Sequence, residues 1–113
     1  MTMGESMHLD DLIRHGATQP LNEAAVDSAC RATGKTRFEI FDAFARRVAD
    51  GYSKKEFSWG DCDMAMTNLF SFAYTVSGDG LSDHAWLVYH AFDEAEYRPG
   101  GEDLTTELLS KLK

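Results

Sequence analysis

The sequence predicts an all-α fold: a compact single-domain bundle of five to six short helices around a central antiparallel hairpin, about 58–77 and 82–97. Three observations lead there. No run alternates strictly between apolar and polar positions with β-branched residues, so strands are not expected. Apolar residues instead recur three and four apart in stretches that open on a capping side chain and close near glycine. And 113 residues, 43% hydrophobic and 12% aromatic, suffice for one packed core.

Ser6 to His15 reads as a first helix with Leu9, Leu12 and Ile13 on its apolar side; Gly16 should end it. Residues 1–5 are expected to fray. His8, Asp11 and His15 share the other side, an arrangement more typical of a wet face with one weak His–Asp contact than of a metal or acid–base cluster. Asn22 caps a second helix to Thr33, whose Ala25, Val26, Ala29 and Cys30 allow close helix approach. Thr36 with Glu39 forms a capping box for the third, with Phe38, Phe41, Phe44, Ala45, Val48 and Ala49 facing the core and Gly51 closing it.

The central helix is expected over 58–77. Ser58 caps it, and Phe57 with Trp59 can form a staple. Cys62, Ala65, Met66, Leu69, Phe70, Phe72, Ala73 and Val76 fall on one arc of roughly 160°. The opposite arc, Met64, Thr67, Asn68, Ser71, Tyr74 and Thr75, is polar but uncharged. A solvated helix face usually carries Lys and Glu. This arc therefore predicts a second packed surface: another helix of the same fold, or a homodimer through the uncharged face of helix 58–77.

Gly78, Asp79 and Gly80 make a short turn. Read as a calcium loop from Asp79, it would put Leu81 and His90 at ligand positions, so that reading fails. Ser82 caps the fifth helix, apolar around most of its circumference to about Tyr97 and expected to cross the central helix deep in the fold. Residues 98–101, with Pro99, form a hinge before a last helix from about Glu102 carrying Leu104, Leu108, Leu109 and Leu112.

Charge is uneven. The net charge is −8; residues 1–57 carry eight Lys/Arg against nine Asp/Glu, and residues 58–113 three against ten. Such a second half repels phosphate backbones, so nucleic acid is not an expected partner, whereas a basic protein would be attracted. The basic zone from Lys35 to Lys55 reads as intrahelical pairing, such as Asp42 with Arg46. No stretch has the length or apolarity of a membrane span and no apolar leader is evident, so a cytoplasmic protein is expected. Cys30 and Cys62 belong to no CxxC and read as reduced buried thiols; no His or Cys spacing supports a metal, and no cofactor motif occurs.

The function these features favour is a small acidic interaction protein, an adaptor, inhibitor or toxin-neutralising (immunity-type) module binding a basic partner. Trp59, Asp61, Asp63, Asp79 and Asp83 are its candidate contacts, grouped near one end of the hairpin. The alternative is a ligand-binding protein or enzyme using His84, or His90 oriented by Asp93, as the acid–base group. No nucleophile accompanies either imidazole, so no catalytic residue is assigned; a core-boundary histidine is the plainer account. Asp61 and Asp63 lie two apart on a helix and diverge too far to act together.

Overall fold

The computed structural model describes residues 4–96 and 101–112, the side chains of 4–8 excepted. Six α-helices follow one another: α1 (Gly4–Thr18), α2 (Glu23–Thr33), α3 (Arg37–Ser53), α4 (Trp59–Ser71), α5 (Asp83–Glu96) and α6 (Gly101–Ser110). A π-helical segment, Phe72–Ser77, prolongs α4. No strand occurs among the described residues. Of the predicted hinge at 98–101, Gly101 already belongs to α6, while residues 98–100, like 1–3, Tyr97 and Lys113, lie outside the described residues.

The helix starts follow from capping chemistry. Asn22 Oδ1 accepts the Ala25 N–H at 2.8 Å, and Ser58 Oγ accepts the Asp61 N–H at 3.1 Å. Thr36 and Glu39 complete the box reciprocally, at 3.1 and 2.9 Å. Ser82 does two jobs: it accepts the Ala85 N–H at 3.1 Å and donates to Asp42 Oδ1 at 2.6 Å, fastening the start of α5 to α3.

Two predicted stops are not stops. α1 runs through Gly16 and α3 through Gly51. Both glycines mark close approaches. A Cβ on Gly16 would lie 3.3 Å from Leu21 Cδ2 and 3.7 Å from the Ala65 backbone of α4, while Gly51 is covered by the Phe57 ring. Tight interhelical packing offsets the roughly 1 kcal/mol that a mid-helix glycine costs relative to alanine. Phe57 therefore covers α3, with the Arg47 guanidinium 4.9 Å from its centroid.

The core gathers Ile40, Phe41, Phe44, Met66, Leu69, Phe72 and Phe92, all at most 2% exposed, from α3, α4, the π segment and α5. α4 touches α1, α3 and α5, but its uncharged arc is not a second packed surface: Met64, Thr67, Ser71, Tyr74 and Thr75 are exposed and Asn68 is half-buried. Asn68 ties that arc to a neighbouring helix. Its Nδ2 donates to the carbonyls of Gly16 (2.7 Å) and Gln19 (3.0 Å), fastening α4 to the end of α1. Asn68→Ala should cost about 1–2 kcal/mol in urea unfolding, because two carbonyls lose their donor, while Thr67→Ala on the exposed side should cost under about 0.5 kcal/mol.

Four predicted core positions are corrected. Val76 is 55% exposed. Bonding of the i→i+5 type turns the chain less per residue, and the lag accumulated from Phe72 carries Val76 off the buried arc. Phe38, in the first turn of α3, is exposed, as are Trp86 and Leu87 on α5, so α5 has an outer side after all. In α6 the fully covered residues are Thr105 and Leu109; Leu104, Leu108 and Leu112 are half-buried. No helix of the described residues is long and apolar enough to cross a membrane.

Candidate functional site

The hairpin turn places α4 and α5 side by side in opposite directions, so residues whose numbers sum to 159 face each other. Phe70 meets Tyr89, their rings stacked at 4.2 Å and 16°. Tyr74 extends the row, 4.8 Å from Phe70. On the outer ridge of α5, Trp86 and His90 stack at 5.2 Å. Among the described residues, five of the six exposed large apolar side chains, Met64, Tyr74, Val76, Trp86 and Leu87, belong to α4, the π segment and α5.

At the open end of the hairpin the same register brings Asp63 to Glu96, with Asp93 one turn away. Asp63 is half-buried, and its Oδ1 is covered and accepts no hydrogen bond from a described residue. Burial pushes its pKa up to about 7, aided by the charge and hydrogen bond of Glu96 and by the charge of Asp93. No Lys or Arg occurs between Lys55 and Arg98. Four cations of the predicted basic zone are paired elsewhere. Arg37 holds Asp27 (2.8 Å) and Glu23 (3.2 Å). Arg47 holds Asp10 (2.9 Å) and Glu56 (2.7 Å). Arg46 pairs with Asp42 (2.8 Å) and Lys54 with Asp50 (3.1 Å). Four of the zone's six cations thus have carboxylate partners in the first half of the chain.

The five candidate contacts do not form one group. Trp59, Asp61 and Asp63 stand at the open end of the hairpin, while Asp79 in the turn and Asp83 at the start of α5 stand at the other, roughly 25 Å along the helix axis. Asp61 is exposed; Asp79 accepts from Ser77 Oγ. Trp59 is committed inward: its ring packs 6.2 Å from Phe92, and its Nε1 donates to Thr105 Oγ1 at 2.9 Å, which donates in turn to the Ala91 carbonyl. It also lines a cleft of about 630 Å³ with Tyr52, Phe57 and Thr106, between the end of α3 and α6.

The histidines lie apart. His84 borders a smaller cleft of about 260 Å³ with Arg46, Asp50 and Leu109. Burial lowers its pKa, Arg46 adds to that, and Asp42 opposes it. His90 is half-buried against Trp86, and no hydrogen bond joins it to Asp93 among the described residues. His15 Nε2 lies 3.1 Å from the Pro20 carbonyl and Asp11 pairs with Arg14, so these two do not cluster; the His8 side chain lies outside the described residues. Cys30 is half-buried on α2, and burial among Asp61 and Asp63 pushes the Cys62 thiol up to about 12.

Sequence reasoning missed Glu96, Phe70 and Tyr89 as parts of this face. The signal was present: once the turn is centred between Asp79 and Gly80, hairpin register alone pairs them. No family model matches the chain, and no curated protein or solved structure is similar to it.

Proposed function

We propose that the protein is a small acidic interaction module, of adaptor, inhibitor or toxin-neutralising type, whose α4–α5 face receives a basic protein. One observation carries the reading: half-buried Asp63 stands beside Glu96 and Asp93, on two helices that hold no lysine or arginine. Crowded carboxylates disfavour their own charged forms, as the raised Asp63 pKa records, so a lysine or arginine from outside is favoured there. Exposed Tyr74 and Trp86, farther along the same two helices, supply the apolar part of an interface, where Trp and Tyr often anchor binding. Phosphate backbones are repelled by the same field.

Affinity capture from the native host tests this, with the whole chain as bait and the Asp63→Asn/Glu96→Gln variant beside it. A basic protein is expected to be retained at about 50 mM salt, to be released as the Debye length shrinks toward about 5 Å near 0.4 M, and to be recovered poorly by the variant. Absence of any basic partner, or recovery indifferent to salt, would overturn the proposal.

A further inference from the structure

We infer that the occupant of this face is an amphipathic basic helix of the partner. It lies along the seam between α4 and α5, with a lysine or arginine among Asp63, Asp93 and Glu96 and an apolar anchor two turns away against Phe70, Tyr89 and Trp86. This rests on the reading of the face as the site of a basic protein and goes on to specify its conformation and register.

The spacing sets the register. Asp63 and Phe70 are seven residues apart on α4, about 10 Å of helix, which is also the separation of residues i and i+7 on one face of a second helix. The chemistry changes along that distance: carboxylates at the open end, then stacked Phe70 and Tyr89, then Tyr74 (47% exposed) and Trp86 (41%). A ligand that fits must carry charge and apolar surface at that separation.

The backbone decides between a helix and an extended chain. The amides and carbonyls of α4 and α5 are consumed within their own helices, so the seam offers no edge to which a strand could add. A helix brings its backbone bonds with it and needs only side-chain complementarity, as in helix-in-groove recognition. A second copy of this chain fits worse. In a two-fold pair the same face meets itself, and its acidic open end would oppose either its own equivalent or the turn end with Asp79 and Asp83.

Two alanine-rich peptides of about 16 residues, equal in composition, test the inference. In one, Arg and Phe stand seven apart, on one helical face; in the other they stand nine apart, on opposite faces. The indole N–H signals of Trp86 and Trp59 report on the whole protein by NMR. The in-phase peptide is expected to move Trp86 saturably, to leave Trp59 in place, and to bind about tenfold tighter than its isomer. Equal, salt-sensitive binding of both isomers would keep the basic-partner reading and overturn the helical register. Equal binding of an in-phase peptide interrupted by proline would overturn the helix, and movement of Trp59 in place of Trp86 would overturn the site. No shift from either peptide at low salt would overturn the inference, as would a concentration-dependent dimer that buries Trp86 without peptide; host capture judges the underlying reading separately.

Discussion

Replacing Phe92 by alanine is expected to remove about 3–5 kcal/mol of folding free energy. The ring is fully buried at the junction of three helices. Tyr52 of α3 meets it edge-on at 5.5 Å, and Trp59 of α4 lies 6.2 Å away. Truncation loses the transfer free energy of the ring and leaves a cavity that two aromatic neighbours cannot both collapse into. Domains of this size hold about 5–15 kcal/mol in total, so the variant would be near the edge of folding. Because Trp59 also bonds Thr105, the seat of α6 should loosen with it, seen as a red-shifted tryptophan emission at temperatures where the fold persists. The comparison is Phe38→Ala, at 44% exposure, expected to cost well under half as much. Urea unfolding of both variants measures the contrast, and equal costs would mean that the three-helix junction is not packed around Phe92.

The second large effect is stabilising and depends on pH. The Asp63 carboxyl has a folded-state pKa of about 7 against an ordinary value of 3.8, chiefly through burial. Between those values the folded chain holds a proton that the unfolded chain has released, so Asp63 makes stability fall as pH rises through the window. The penalty is absent below about pH 4 and complete above about pH 7 to 8. A shift of that size is worth about 4 kcal/mol for a dry site; Asp63 is only half-buried, and solvent screening reduces this to about 1–2 kcal/mol. Asp63→Asn should therefore be more stable than the natural chain by about that amount at pH 8, with the gain shrinking to nothing near pH 4. Asp27 and Glu39 act in the opposite sense. The hydrogen bond from Arg37 holds Asp27 below its ordinary range, and hydrogen bonds to Thr36 do the same for Glu39, so their contributions are lost as pH falls. Taking the difference between variant and natural chain at each pH isolates Asp63. A difference that stays constant across pH 4 to 8 would contradict the assignment.

Stability and proposed binding pull against each other at this residue. The change that strengthens the fold at neutral pH removes the carboxylate to which a basic partner would bind. Functional sites commonly hold such local conflicts.

Most of the architecture was legible because capping and periodicity are local. Asn22, Thr36, Ser58 and Ser82 each begin a helix through a bond that spans three residues, which sequence displays directly. Helix ends were less legible. Gly16 and Gly51 look like terminators, and only the chain packed against them reveals why glycine is needed there. The candidate site was legible in composition but not in placement. An antiparallel hairpin separates residues near in sequence and unites distant ones, so Asp79 parts from Asp61 while Glu96 joins Asp63. Trp59 misled for a different reason: an indole bonded to Thr105 and packed on Phe92 has the same one-letter symbol as an interface anchor.

The widened turn at Phe72–Ser77 has a consequence for how this chain could change over evolutionary time. One residue there is surplus to an α-helical ladder, so excising Thr75 would let the remaining bonds close as α, with Val76 three positions past Phe72 and still off the buried arc. Such an excision would also rotate the exit into Gly78 and swing the whole of 83–96 about the axis of its neighbour. Opposed pairs such as Phe70 with Tyr89 would then separate together, so a one-residue deletion would re-aim the entire outer surface while leaving the interior of the first three helices in place.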